Sequence, residues 1–200
     1  MSKKIKIGDC YNYLGADGTK SLCVAEKDER FVGGFKGRHI GGETASSLSI
    51  RSSFELLPTL HLPIGNDPKK YGGAWFDMIR SGVKKEEYRD VKDSYCRRFL
   101  IGKRELEFQS WEEMMGDMRN FTKNPRHESM AELFEYFDIS FKDFKVLHLT
   151  NGYSYERPQL WAHIESITIG RGNPEWGAPV DRDVFIIKLG AVFHTKNLKP

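Results

Sequence analysis

The densest group of chemically capable side chains lies in the stretch GVKKEEYRD, Gly82 to Asp90. A lysine and a carboxylate in one cleft can grip an anion and accept a substrate N–H, or orient water for attack on a carbonyl. A carboxylate also accepts from the exposed amino group of cytosine, and tyrosine or tryptophan offers a face for base stacking. Lys84 and Glu87 are the candidate catalytic pair, and Arg89 joins them as a ligand-binding residue. In an ideal strand, Lys85, Glu87 and Arg89 share one face while Lys84, Glu86 and Tyr88 share the other. Bringing Lys84 to Glu87 therefore requires a bend between them, and Gly82 makes a change of direction just upstream cheap. The competing reading is a solvated charge run in which Glu87 pairs with Arg89, since surface ion pairs are common and individually weak.

Other polar residues are weighed against this group. Glu165 follows His163 at i and i+2 in AHIES, one strand face, but no PCxxC or HExxH segment completes a zinc site. No metal is expected, and nothing implies a cofactor. Glu165 can face a cleft through strand alternation, or satisfy Arg89 or a backbone donor. Glu175 and Trp176 sit between Pro174 and Gly177 in a loop, where the indole could stack on a base or plug a barrel end. In NGYSYER, Tyr153 and Tyr155 with Arg157 form an aromatic and basic patch. His39, His61, His127, His148 and His194 show no ligand spacing, and no GxSxG elbow activates a serine.

The elements that must position these groups follow from periodicity. AWFDMIRSG places Trp75, Met78 and Ile79 at helical spacing, with Asp77 and Arg80 outward and Gly82 available as a stop. A second helix is predicted over 91–101, where Val91, Tyr95, Phe99 and Leu100 return to one side. Ser110 with Glu113, and Ser129 with Glu132, stand at capping-box spacing before Met- and Phe-rich stripes, which predicts an acidic helical pair. After Phe141 the period turns β-like in FKVLHLT, LWAHIESITI and DVFIIKLG, separated by Asn151-Gly152 and Arg171-Gly172-Asn173-Pro174. Such strands suit a closed or nearly closed barrel better than a repeating βαβ unit. Towards the N-terminus, CYNYL and SLCV flank Ala16-Asp17-Gly18, a hairpin signal. The glycine-rich FVGGFKGRHIGGE fits neither common phosphate-loop fingerprint and reads as a flexible loop.

The 200 residues suit one medium domain or a small domain with additions, and 39% hydrophobic with 30% charged residues is a globular balance. A net charge of +3 is too mild to announce a nucleic-acid binder, yet its distribution is uneven. Residues 51–103 sum to +4 and residues 104–150 to −4. No run approaches the roughly 18 apolar residues of a spanning helix, and MSKKIKIGDCYNY lacks the apolar segment of a secretory signal. A soluble cytoplasmic protein with no membrane partner is expected. Cys10, Cys23 and Cys96 form no CxxC pair and read as reduced, partly buried small groups.

Gly82, Lys84, Glu87 and Arg89 match GxKxxExR, and here the chain resembles the ASCH domains, relatives of the PUA-like nucleic-acid-binding fold. Trp75 to Ile79 resembles the family's preceding helix; Leu147–Tyr153, Ile164–Gly170, Asn173–Gly177 and Phe185–Leu189 resemble its later strands and turn. The match covers about half of the chain. The resemblance implies an α+β fold: a PUA-like small β-barrel with short rim helices. Residues 1–56 then form an extra N-terminal β element, and residues 57–200 the ASCH-like domain with a helical insertion at about 104–140. It also implies a cleft for RNA or a modified nucleoside or nucleotide, built on Lys84, Glu87 and Arg89 with Tyr153, Glu165, Glu175 and Trp176. Members that deacetylate N4-acetylcytidine pair the lysine with a threonine where this chain has Glu87, so their hydroxyl nucleophile is missing here. Two alternatives remain: a hydrolase of an acylated nucleobase or RNA phosphodiester, with Lys84 stabilising negative charge and Glu87 as base, or a protein-interaction module using the acidic insertion.

Overall fold

The computed structural model describes residues 6–14, 20–25, 37–39, 54–65, 75–102, 134–135, 138–154 and 156–198. The Asp17-Gly18 turn, most of the glycine-rich segment, Tyr155 and nearly all of the acidic helical pair lie outside these residues. The chain divides into two compact units.

The first unit comprises residues 1–83, 144–164 and 190–200. Strands β1 (Cys10–Leu14), β2 (Lys20–Ala25), β3 (Gly37–His39) and β4 (Phe54–Leu57) form a sheet in the order β3-β2-β1-β4. Leu14 faces Lys20 in the antiparallel β1–β2 pair, the register a hairpin requires. Strand β5 (Thr59–Ile64) buries alternate residues, Leu60, Leu62 and Ile64. It runs parallel to β9 (Val146–Asn151), which pairs antiparallel with the start of β10 (Gln159–Gly170). Pro63 suits β5 because proline, lacking an N–H, is tolerated on edge strands. Helix α1 (Trp75–Arg80) buries Phe76 and Ile79, while Asp77 and Arg80 stay exposed and ion-paired at 3.2 Å. Trp75 and Met78 are half-buried, so the predicted apolar face is rotated to include Phe76. Cys10, Val24, Val146 and Trp161 form a buried cluster with Leu22, Leu57 and Phe193 against it.

The second unit comprises residues 84–143 and 165–189. It holds β6 (Glu86–Asp90), helix α2 (Asp93–Phe99), β7 (Leu100–Gly102) and β8 (Ile139–Phe141). A short 3-10 turn, Pro174–Trp176, precedes β11 (Val184–Lys196), whose first residues pair antiparallel with β6. Helix α2 is shorter than the 91–101 span its periodicity suggests, because Leu100 already has extended backbone and pairs with Phe141. Asp93 in its first turn and Arg97 and Arg98 in its last complement the helix dipole. An aromatic core forms as Phe99 meets Phe185 edge-on at 5.0 Å and Phe141 meets Phe185 at 6.3 Å.

Strands β5-β9-β10-β11-β6 make one five-stranded sheet, curled but not fully closed. Among the described residues the fold is α+β, with two short helices beside a curled sheet that stops short of full closure. Cys10, Cys23 and Cys96 are free and buried, and burial pushes the Cys10 thiol up to about 12, so it stays protonated and inert. No described helix is long and apolar enough to cross a membrane.

Candidate functional site

The bend that Lys84 requires is present. Gly82 adopts φ +77, the left-handed conformation that glycine reaches without steric cost, and β6 begins only at Glu86. Lys84 thus lies outside the pleat, and strand alternation no longer dictates its direction. Its Nζ stands 3.1 Å from Glu87 Oε2 and 5.2 Å from the centroid of the Tyr88 ring. Arg89, two residues beyond Glu87 on the same strand face, donates through its guanidinium to Glu87 Oε1 and to the Tyr88 carbonyl at 2.9 Å. Lys84 is 4% exposed and Glu87 2%. Burial pushes the Lys84 ammonium below its ordinary value, with the Glu87 carboxylate opposing that shift.

The other face of β6 is organised around Tyr88. Its hydroxyl donates to Glu86 at 2.6 Å and accepts from the Asn173 backbone N–H at 3.0 Å. Burial first, and the Glu86 contact second, push the phenol well above its ordinary value. Gly172 lies close against this ring: a Cβ there would stand 2.6 Å from Tyr88 Cε1 and 2.7 Å from Ala178 Cβ. Asn173 caps the 3-10 turn by accepting from the Glu175 N–H, and Gly177 ends it at φ +87. Tyr88, Ala178 and Val184 form a buried cluster on which Trp176 packs half-buried. The 172–177 loop is therefore fastened to β6 through the tyrosine.

The remaining expected site residues are placed variously. Glu175 is exposed on the 3-10 turn. Glu165 is exposed and pairs with Lys188 at 3.2 Å, a partner different from Arg89, because the half of β10 that carries it turns it to the solvated face. Tyr153, in the first unit, is 94% exposed. Arg171 and Arg182 pair with Asp183 and Asp90 at 3.0 and 3.3 Å. Among the described residues no group of His, Cys, Asp and Glu has the arrangement of a metal site.

Sequence reasoning passed over a second polar group, in the first unit. His61 and His148 face each other across the parallel β5–β9 pair, with their Nδ1 atoms 2.8 Å apart. His61 Nε2 lies 2.8 Å from Asp9 Oδ1, and His148 Nε2 lies 2.9 Å from Gln159 Oε1. The His148 ring stacks on Trp161 at 4.3 Å, and the indole N–H donates to the Gly8 carbonyl at 2.8 Å. Gly8 is required here: it holds φ +87, and a Cβ would stand 2.5 Å from His148 Nδ1. The signal was present in the repeated Leu-His-Leu of TLHLPI and VLHLTN, which are the two strands placed side by side in matching register.

No family model matches the chain, and neither a curated protein nor a solved structure matches it.

Proposed function

We propose that this chain is an ASCH-like module of PUA-like fold that binds RNA or a modified nucleotide at Lys84, Glu87 and Arg89. The observation that carries the reading is the convergence of the Lys84 ammonium and the Arg89 guanidinium on one buried carboxylate. Burying the Lys84 and Glu87 charges beside a half-buried Arg89 is costly, and replacing buried ionic groups with apolar ones is often neutral or stabilising for the fold alone. A ligand that uses them offsets that cost. Lys84 and Arg89 supply cationic donors for phosphate or a base carbonyl, and Glu87 supplies an acceptor for an exocyclic amine. Trp176, held beside Tyr88 on the loop that also carries the exposed Glu175, offers a ring for a base.

Binding is favoured over hydrolysis by the state of Glu87. One of its oxygens is held by the ammonium and the other by the guanidinium, which suits a fixed acceptor better than a base that must take a proton from water.

Fluorescence anisotropy with short single-stranded RNA across a salt series tests the reading. The parent protein is expected to lose affinity as salt rises, with a log–log slope of about −0.7 for each phosphate neutralised. Lys84→Met is expected to weaken binding about tenfold and to reduce that slope by about one contact, Glu87 keeping Arg89 as its partner. Equal affinity and slope in parent and variant would remove Lys84 from the interface.

A further inference from the structure

Helix α2 sets an aromatic ring beside the Arg89 guanidinium. Tyr95 is half-buried and stacks on Phe99 at 5.6 Å with the ring planes 23° apart, and Phe99 in turn meets Phe185 edge-on at 5.0 Å. Packed in this way, the phenol is a fixed platform. The Arg89 guanidinium carbon stands 5.9 Å from its centroid and the Lys92 ammonium 5.1 Å. Both fall within the roughly 6 Å over which a cation is drawn to an aromatic ring. One ring of the second unit therefore holds two positive groups together.

The fold makes little use of the Lys92 charge. Lys92 is exposed at the N-cap of α2, with φ −135 and ψ 158, the extended backbone of a capping residue, yet its side chain makes no capping hydrogen bond. Serine, threonine, aspartate or asparagine would cap the helix there, and a cation faces the positive end of the helix dipole. The carboxylates near it in the chain are engaged elsewhere: Asp90 pairs with Arg182 at 3.3 Å and Asp93 with Arg97 at 2.7 Å. Glu86 accepts from the Tyr88 hydroxyl, and Glu87 is shared by Lys84 and Arg89. Among the described residues no carboxylate stands within ion-pair distance of the Lys92 ammonium. Lys84, Arg89 and Lys92 thus bring more positive charge than Glu87 balances, which favours an anion at this end of the site.

We propose that Lys92 and Arg89, gathered on Tyr95, are a phosphate subsite, so that the ligand of the β6 site is a phosphorylated nucleotide, free or within an RNA strand, and not a bare nucleoside. This inference rests on the reading of β6 as the binding site and adds the class of ligand it takes. Lys92 donates to the phosphate oxygens: its ammonium is a compact charge on a flexible stem, and the ring limits where that charge stands. Arg89, already donating to Glu87 and to the Tyr88 carbonyl, contributes its charge. Tyr95 acts through the two cations and is a positioning residue.

Isothermal titration calorimetry on the full chain at low salt, with cytidine, cytidine 5′-monophosphate and cytidine 3′-monophosphate, tests this. The tighter monophosphate is expected to bind at least about tenfold more tightly than cytidine. A short single-stranded RNA binding more tightly than either monophosphate assigns the subsite to the strand, and the reverse order to free nucleotides. Lys92→Asn supplies a good cap, so its urea midpoint should equal or exceed that of the parent. It should bind cytidine within about twofold of the parent while its preference for the monophosphate falls to about threefold or less. Its salt slope with RNA should become shallower by about 0.7. Lys188→Gln removes an equal charge from the other face of the sheet, opposite Glu86, and should change each affinity by no more than about twofold. Tyr95→Phe keeps the ring and the preference. Tyr95→Leu should lose the preference, and adding Lys92→Asn should then cost nothing further, a coupling that general loosening of the helix would not produce. Failure of all three compounds and of RNA to bind would overturn the β6 reading together with this one. With binding intact, four results would each overturn the phosphate subsite alone: equal affinity for cytidine and both monophosphates, a preference that survives Lys92→Asn or is lost to the same degree in Lys188→Gln, a lower urea midpoint in Lys92→Asn, or additive losses in the double variant.

Discussion

Glu87→Ala is expected to lower the unfolding free energy by about 3–5 kcal/mol, the cost typical of removing one partner from a buried ion pair. Glu87 is the carboxylate that both Lys84 and Arg89 approach, so its loss leaves a buried ammonium beside a half-buried guanidinium with no carboxylate between them. Lys84→Met is expected to cost less, because Glu87 retains Arg89 and the methionine fills the space of the lysine stem. Combining Lys84→Met with Glu87→Leu is expected to recover part of the loss, since two apolar groups need no partner. Urea unfolding of the four proteins at neutral pH measures this. A loss below about 1 kcal/mol in Glu87→Ala would mean that the three charges are solvated and held loosely, as in a surface pair.

The pH dependence of stability is the second large effect. Burial, with help from the neighbouring His61, lowers His148 from 6.5 to about 4. The unfolded chain therefore binds this proton more readily than the folded one. Stability from keeping His148 neutral is complete above 6.5 and drains away as pH falls toward about 4. At about 1.4 kcal/mol per unit, this single group accounts for a loss of about 3 kcal/mol over that window. Urea unfolding between neutral pH and about pH 4 should show that decline in the parent and a shallower one in His148→Gln, which has no proton to gain. Parallel pH profiles for the two proteins would place the acid sensitivity elsewhere.

What the sequence made legible, and what it hid, divides along the range of the interactions. The convergence of Lys84 on Glu87 was readable because strand alternation showed that a bend was needed and Gly82 offered one nearby. Helix α1 and the late strands were readable from local period alone. The strands β4 and β5 were not, because FELLPTLHLPI contains two prolines that weaken a strand reading until β5 is known to be an edge. The His61–His148 contact joins residues 87 apart, and only the parallel register of β5 and β9 creates it. Glu165 was correctly placed on a strand, but alternation does not say which face is solvated, and Lys188 of β11 claims it.

The two polar groups also differ in kind. The Lys84, Glu87 and Arg89 group gathers full charges beside a loop bearing an aromatic ring, as an interface with a charged polymer needs. The histidine pair instead makes a short run of hydrogen bonds from Asp9 to Gln159 inside the first unit.

The central claim is that nucleic acid is received at β6 and its adjoining loop. Titrating isotope-labelled protein with a short cytidine-containing RNA and following the backbone amide signals tests it most directly. Saturable shifts are expected, concentrated at Lys84 to Asp90 and at Gly172 to Gly177, with the midpoint moved to about tenfold higher RNA concentration in Lys84→Met. Shifts at saturating RNA that spare both stretches, or no shifts at low salt, would contradict it.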